Sequence, residues 1–331
     1  MTEALPDEVT GWLAARLPRG GRIARIAQLP GGYRNQNLLI ATDDDKFVLR
    51  RYLKGNTCGV EQELATRLSG VVPIAEVVDA DPTGALAGEP VLLSRFVEGT
   101  SLDQVVLDLP APEATELGHR VGSALAAIGT IRFTAPGFFS GPDLTPASGG
   151  ADSADLITFT TSRLDDLVGF DSLEKTALLA LAEHDQRALD AVPSEARLVH
   201  ADFNGKNLLV TRRGGHWSVS AVLDWEFAFS GNPLSDVGNM LRFPEDTGPH
   251  FTTAFIDAFT ADAGPLPDNW HHLSQALDLF ALVDLLTLPS THPLHAKVSD
   301  AVRTRITATT GRLPETEPRS NADRQPRRPP S

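Results

Sequence analysis

The stretch LVHADFNGKNLLVTRRGGHWSVSAVLDWE, residues 198–226, places one Asp, one His and two Asn just ahead of two strand-like apolar runs. Gly214 and Gly215 separate those runs, and both can take the positive φ that a two-residue hairpin turn requires. With that turn, Arg213 faces His216 and, further along the ladder, Asn207 faces Val222. Asp224 then lies diagonally across from Asn207, and such neighbours stand roughly 7–8 Å apart at Cα. An amide oxygen and a carboxylate at that separation can converge on one hard cation, and Mg²⁺ suits both. Asp202 sits one short loop earlier, at the open end of the same hairpin, and supplies a second carboxylate. A metal that neutralises phosphates, beside a base that orients a hydroxyl, is the equipment of phosphoryl transfer.

The chain around this stretch has 331 residues, 41% of them hydrophobic, enough for a large core in two lobes. A short helix over 7–17 precedes strand-like runs at 24–29, 37–42 and 46–52. GVEQELATRLSG (59–70) has helical apolar spacing and stops at Gly70. VVPIAEVV (71–78) and EPVLLSRFVEG (89–99) read as two further strands. Beyond residue 99 the pattern turns helical: 111–131, most of 153–192, and 234–288, with a Pro/Gly-rich loop after the first. Residues 312–331 are rich in Pro and Arg with almost nothing to bury, and read as a disordered tail.

A formal net charge of −14 argues against a nucleic-acid partner and favours a cationic ligand. The single cysteine, Cys58, excludes a disulfide framework and fits a reducing cytoplasm. MTEALPDEVTGWLAARL has no basic region followed by an apolar core, so no signal peptide is expected, and no run is apolar over the length of a membrane span.

HADFNGKN followed by LDWE resembles the catalytic and metal-binding segments of the aminoglycoside phosphotransferase family, whose fold is that of protein kinases. His200, Asp202 and Asn207 fit its H-x-D-x-x-x-x-N pattern, and Asp224 stands where the family holds its metal carboxylate. GNPLSDVGNML (231–241) is similar to the G-D-P-x-x-D-L segment, with Asn232 where Asp is commoner and Asp236 in place. The resemblance covers residues 20–290. It implies a bilobal α+β fold: a β-rich N-terminal lobe, 1–98, with a hinge near 93–99, and a mainly helical C-terminal lobe, 99–311. It further implies ATP and Mg²⁺ as cofactors, with Asp202 as catalytic base and Asn207 and Asp224 on the metal. His200 and Asp236 would support them from behind.

In the N-terminal half GGYRNQNLLIA is similar to the hairpin that covers the nucleotide, so Gly31 and Gly32 are expected over the phosphates. It is neither a protein-kinase G-x-G-x-x-G nor a Walker loop. FVLRRY matches the third strand, with Arg50 in place of the usual Lys. Arg keeps the charge and can grip phosphate bidentately, but the two are not equivalent in close geometry. VEQEL matches the helix that supplies the ion-pair partner, expected to be Glu63. VLLSRFVEG matches the hinge, whose backbone at Arg95 and Val97 would meet adenine.

Acceptor contacts are expected from Glu226, next to the metal segment, and from Asp278 and Asp284, which interrupt an apolar helix where an unpaired carboxylate is costly to bury. Asp152, Asp155, Asp165 and Asp166 are weaker candidates. Lys206 either steadies the transferred phosphate or is simply solvated. The combined reading is a cytoplasmic O-phosphotransferase, monomeric or homodimeric. It would act on a small cationic antibiotic: an aminoglycoside or a basic cyclic peptide of the viomycin and capreomycin kind. The alternatives are a kinase of homoserine, choline or a sugar, and a nucleotide-binding pseudokinase.

Overall fold

The computed structural model describes residues 5–17, 22–30, 35–147 and 155–310. Gly31, Gly32, Asp152 and the expected tail lie outside them. The N-terminal region is a five-stranded antiparallel sheet of β1 (Ile23–Gln28), β2 (Gln36–Thr42), β3 (Lys46–Arg51), β4 (Val77–Asp81) and β5 (Val91–Arg95), in the order β1-β2-β3-β5-β4. Period-two alternation decides what each face carries. Leu38 and Ile40, Phe47 and Leu49, and Val91 and Leu93 point one way and bury against Val9, Trp12 and Leu13 of α1 (Asp7–Ala14). Arg50, between Leu49 and Arg51, therefore points the other way, toward α2 (Cys58–Leu68). The strand expected at 71–78 begins only at Val77; residues 71–76 form a loop around Pro73, which has no amide hydrogen to give a ladder.

Residues 99–101 lead into the helical region, where β6 (Thr100–Ser101) pairs with β9 (Leu208–Arg213), itself paired with β10 (His216–Val222). A second small sheet joins β7 (Gly137–Phe138), β11 (Phe229–Gly231) and β8 (Arg197–Val199). The core of this region is built on α3 (Ala111–Ile128) and α7 (Pro249–Ala263). Phe251, Phe255 and Phe259 recur every fourth residue of α7, so they stack along one buried face. That face meets Gly118 and Gly122, themselves four apart on α3. A short helix, α6 (Leu234–Leu241), follows β11 directly. No helix of the described residues is long and apolar enough to cross a membrane.

Two compact units emerge from these contacts: residues 1–154 with 188–278, and residues 155–187 with 279–331. The first holds the β-sheet, the hairpin and the α3–α7 core. The second holds α4 (Leu156–Arg163), most of α5 (Ser172–Asp190), the last residues of α8 (Trp270–Leu285) and α9 (His295–Thr310). Within it Phe159 packs on Phe280, and Arg303 and Arg305 pair with Glu174 and Asp185. Helix α9 lies beyond the helical span that the pattern of 234–288 had suggested.

The α3–α7 contact can be tested by adding one methyl group. A Cβ at residue 122 would press into the carbonyl oxygen of Phe255 and lie 3.0 Å from Ala258 Cβ. Gly→Ala in a helix interior favours folding by about 1 kcal/mol, while overpacking costs about 1–3 kcal/mol. Here the obstacle is backbone, which cannot swing aside, so Gly122→Ala should destabilise. A urea midpoint equal to or above that of the wild type would show that the helices stand further apart.

Candidate active site

Strand β8 ends at Val199, and the chain then turns sharply. Ala201 has φ 69°, a left-handed conformation that costs a non-glycine residue about 1–2 kcal/mol. The turn persists because the buried Asp236 carboxylate holds it from below. Its two oxygens accept from the amides of His200 (2.7 Å) and Ala201 (2.8 Å). Burial still pushes the Asp236 carboxyl up to about 7, against the pull of those two donors. His200 is fully buried beneath the loop. Its Nδ1 accepts from the Asp202 amide at 3.2 Å and its Nε2 lies 2.8 Å from the Leu223 carbonyl, which together require a neutral ring protonated at Nε2. Burial lowers its pKa in keeping with that state.

Asp202 leaves this platform with its carboxylate held at both oxygens. Asn204 donates to Oδ1 at 2.7 Å and Asn207 donates to Oδ2 at 2.8 Å. Asn207 Nδ2 also donates to the Asp202 carbonyl at 2.9 Å. With that nitrogen committed to Asp202, the Asn207 side-chain oxygen is the atom left to act as a ligand.

The β9–β10 hairpin turns at Gly214 (φ 59°) and Gly215 (φ 89°), with Arg213 facing His216 as the sequence suggested. The register then slips: Val219 faces Val210, but Ala221 faces Leu209, so Ser220 is an extra residue on β10. Asn207 consequently meets Leu223, whose amide donates to its carbonyl at 2.8 Å, and not Val222. This corrects the expected pairing and makes Asp224 the neighbour of the residue bonded to Asn207. Asp224 itself has φ 65°, which Asp tolerates better than most side chains.

On the sheet side Arg50 lies among carboxylates. Its NH2 is 2.7 Å from Asp224 Oδ1 and 3.0 Å from Glu226 Oε2, and its Nε is 3.5 Å from Glu61 Oε2. Burial disfavours its charge, but Glu61 and Asp224 outweigh that and hold its pKa well above the usual arginine value. Glu61, not Glu63, is thus the helix partner. Two residues advance a helix by about 200°, so Glu63 points away and pairs with Arg67 at 2.9 Å. Burial pushes the Glu61 carboxyl up to about 7, with Arg50 pulling it down.

The expected acceptor carboxylates are otherwise engaged. Glu226 bonds Arg50 and the buried Asn35. Asp278 is buried in a bidentate pair with Arg242, at 2.6–3.1 Å. Asp284 is exposed and 3.3 Å from Arg163. Asp155 caps α4 through the Thr158 amide, while Asp165, Asp166 and Lys206 are exposed. At the expected hinge, the Arg95 amide donates to the Glu76 carbonyl at 2.8 Å, and Val97 lies two residues past the end of the strand. Asn35 and Glu61 were not singled out by pattern, because nothing in RNQN or VEQEL marks which side chain faces inward.

A β-sheet region and a helical region, joined by residues 99–101 and meeting at an arginine–carboxylate cluster beside an Asp-bearing loop, define a protein-kinase-like phosphotransferase fold. The chain belongs to the phosphotransferase enzyme family, whose sequence model matches residues 25–273. It is a phosphotransferase with an alcohol group as acceptor. Among solved structures, a thermostable mutant of aminoglycoside phosphotransferase APH(4)-Ia in ternary complex with ADP and hygromycin B has a TM-score of 0.68 at 19% identity, covering 92% of this chain and 100% of that one. A protein from Ralstonia eutropha JMP134, provisionally called an aminoglycoside phosphotransferase, has a TM-score of 0.68 at 17% identity over 91% and 95% of the two chains. A mutant aminoglycoside 2′-phosphotransferase-IIIa in complex with GDP has a TM-score of 0.66 at 17% identity over 91% and 97%. No curated protein sequence matches the chain.

The cluster makes a prediction about pH. Glu61 is raised from 4.5 to about 7, so between those values the folded state binds more protons than the unfolded one. Its contribution to stability is fully present below pH 4.5 and lost as pH rises through 7. A tenfold difference in proton affinity between the two states is worth about 1.4 kcal/mol, so Glu61→Gln should be spared a loss on the order of 3 kcal/mol that the wild type suffers over that window. Parallel urea titrations of both proteins across it would show curves of equal slope if Glu61 were solvated.

Proposed function

We propose that this phosphotransferase moves the γ-phosphate of ATP or GTP to a hydroxyl of a small molecule, with Asp202 as the base. The observation that carries this reading is the Asp202 carboxylate, pinned at both oxygens by Asn204 and Asn207 on a loop whose backbone is fixed by Asp236. In the reaction the acceptor O–H points its proton at Asp202. The acceptor oxygen bonds to the γ-phosphorus as the bond to the nucleotide's leaving oxygen breaks, and the proton passes to the carboxylate. Arg50 would contact the phosphates, and the hinge backbone near Arg95 and Val97 would face the base. The residues present also fit a divalent cation, because the Asn207 amide oxygen and the Asp224 carboxylate are the hard oxygen donors Mg²⁺ takes. When bound, Mg²⁺ would neutralise charge developing on the phosphates. The intact Asp202, Asn207 and Asp224 weigh against a pseudokinase. The β-rich lobe would end near residue 98, and the setting would be cytoplasmic.

Hygromycin B in one similar structure and kanamycin in another, with a net charge of −14 here, support an antibiotic acceptor, and hence resistance. A small metabolite such as homoserine, choline or a sugar is the second reading. It is favoured by one observation, that Glu226, Asp278 and Asp284 each face an arginine.

Asp202→Asn should lower kcat about 10²–10⁴-fold, the usual worth of a general base, while nucleotide affinity stays near the wild-type value. Unchanged turnover would remove Asp202 from the chemistry. The acceptor class is tested by incubating a panel of aminoglycosides, basic cyclic peptides, homoserine, choline and sugars with Mg–ATP or Mg–GTP. The readout is product mass, one phosphate added. For an aminoglycoside acceptor, KM should rise with salt, since exposed charges are screened beyond roughly 8 Å at physiological ionic strength. Homoserine, choline or a sugar as the best acceptor would decide for the metabolite.

A further inference from the structure

We propose that Glu226 is a positioning residue of the nucleotide site: by sharing Arg50 with Asp224, it keeps the Asp224 carboxylate available to the metal. This rests on the reading of Arg50 and Asp224 as phosphate and metal groups. Arg50 NH2 carries two hydrogens and has two carboxylate neighbours, Asp224 Oδ1 at 2.7 Å and Glu226 Oε2 at 3.0 Å. The same Glu226 oxygen accepts from Asn35 Nδ2. Asn35 is buried immediately before β2, whose sheet carries Arg50, and so holds the same Glu226 oxygen as a second donor. The side chains of Arg50 and Glu226 are each 12% exposed. In so dry a setting a charge-assisted hydrogen bond is strong and water is a poor substitute for it.

The reason for such an arrangement lies in the arginine itself. A lysine ammonium is a compact point charge on a shorter reach; a guanidinium is a planar fork that seeks paired carboxylate oxygens. An arginine left alone with Asp224 would be free to bring two parallel N–H donors, from two nitrogens of its fork, to that one carboxylate and compete with a divalent cation for it. Glu226 takes the second hydrogen of NH2 and so turns the fork away from a two-point grip on Asp224. Its charge also draws the guanidinium toward Asn35 and the sheet, so Arg50 is shared and not captured. Glu226 therefore acts on the metal site through Arg50, not by touching the acceptor.

The prediction runs against simple electrostatics. Removing a negative charge beside a polyphosphate ought to tighten nucleotide binding, whereas loss of Glu226 as a partner for Arg50 should weaken it. Calorimetric titration of the full-length protein with ADP or GDP, with and without Mg²⁺, separates the two. Glu226→Gln, which preserves shape, should weaken Mg-nucleotide by about tenfold or more, the equivalent of one charged hydrogen bond, and Mg-free nucleotide far less. Asn35→Ala should act in the same direction. In an Arg50→Ala background the Glu226→Gln loss should vanish, since the residue it acts through is gone. Thermal unfolding of each variant identifies any that fails to fold, and Glu226→Asp, shorter but charged, should recover part of the Mg²⁺-dependent affinity. Wild-type or tighter Mg-nucleotide binding by Glu226→Gln would overturn the proposal. So would a loss that persists undiminished without Arg50, or one equal in the presence and absence of Mg²⁺. A wild type that binds neither nucleotide would overturn the nucleotide reading, and the proposal with it.

Discussion

The Asp236 carboxylate, buried under the 200–202 turn, is the constraint on which the site depends. An alanine in the left-handed region is an unfavourable choice, and it persists only where its surroundings over-determine it. Two amide hydrogen bonds to one acid do that. The turn they hold points the Asp202 side chain away from β8 and toward Asn204 and Asn207. It also leaves His200 below, where a neutral ring ties the Asp202 amide to the Leu223 carbonyl. Leu223 in turn bonds Asn207 and precedes Asp224. One buried acid thus fixes the relation between the loop that bears Asp202 and the hairpin between Asn207 and Asp224.

A second constraint comes from the sheet. Alternation along β3 puts Phe47 and Leu49 in the α1 core, and so must put Arg50 on the opposite face. There one guanidinium meets carboxylates from α2 and from the segment after β10. The result is an excess of negative charge around a single fixed cation, with Glu61 partly relieving it by holding its proton up to about pH 7. Such a cluster has room for additional positive charge.

What the sequence disclosed, and what it withheld, divides along a physical line. Strand alternation, the Gly214–Gly215 turn and the long helices are local, so patterns of period two and 3.6 revealed them. Asp202, Asn207 and Asp224 stood out because polar residues at strand ends between buried runs have few structural reasons to be there. The bulge at Ser220 was hidden, because WSVSAV reads equally well with or without an extra residue and the choice is made by the partner strand. Glu61 was missed for Glu63 because both are glutamates on one helix, and only the helix orientation, set by tertiary packing, tells them apart. Helix α9 was passed over although Val298, Val302 and Ile306 recur every fourth residue and are fully buried, since the intervening Thr and Ser residues lower its apparent helicity.

Net charge alone does not say what lines a pocket, for a reason visible in the side chains. An acidic chain can be acidic because its surface is solvated, or because its carboxylates converge on a ligand. The three carboxylates nearest to the second case each face an arginine of the protein: Glu226 meets Arg50, Asp278 meets Arg242 and Asp284 meets Arg163. The Arg242–Asp278 pair is buried, where separating the partners costs about 3–5 kcal/mol. A cationic acceptor could recruit Asp278 only by displacing Arg242, an exchange of one cation for another with the desolvation of both to overcome. Asp284 is exposed and its ion pair is weak, so it is the one of the three that could change partners at little cost. Any recognition of positive charge by these three residues would therefore fall first on Asp284.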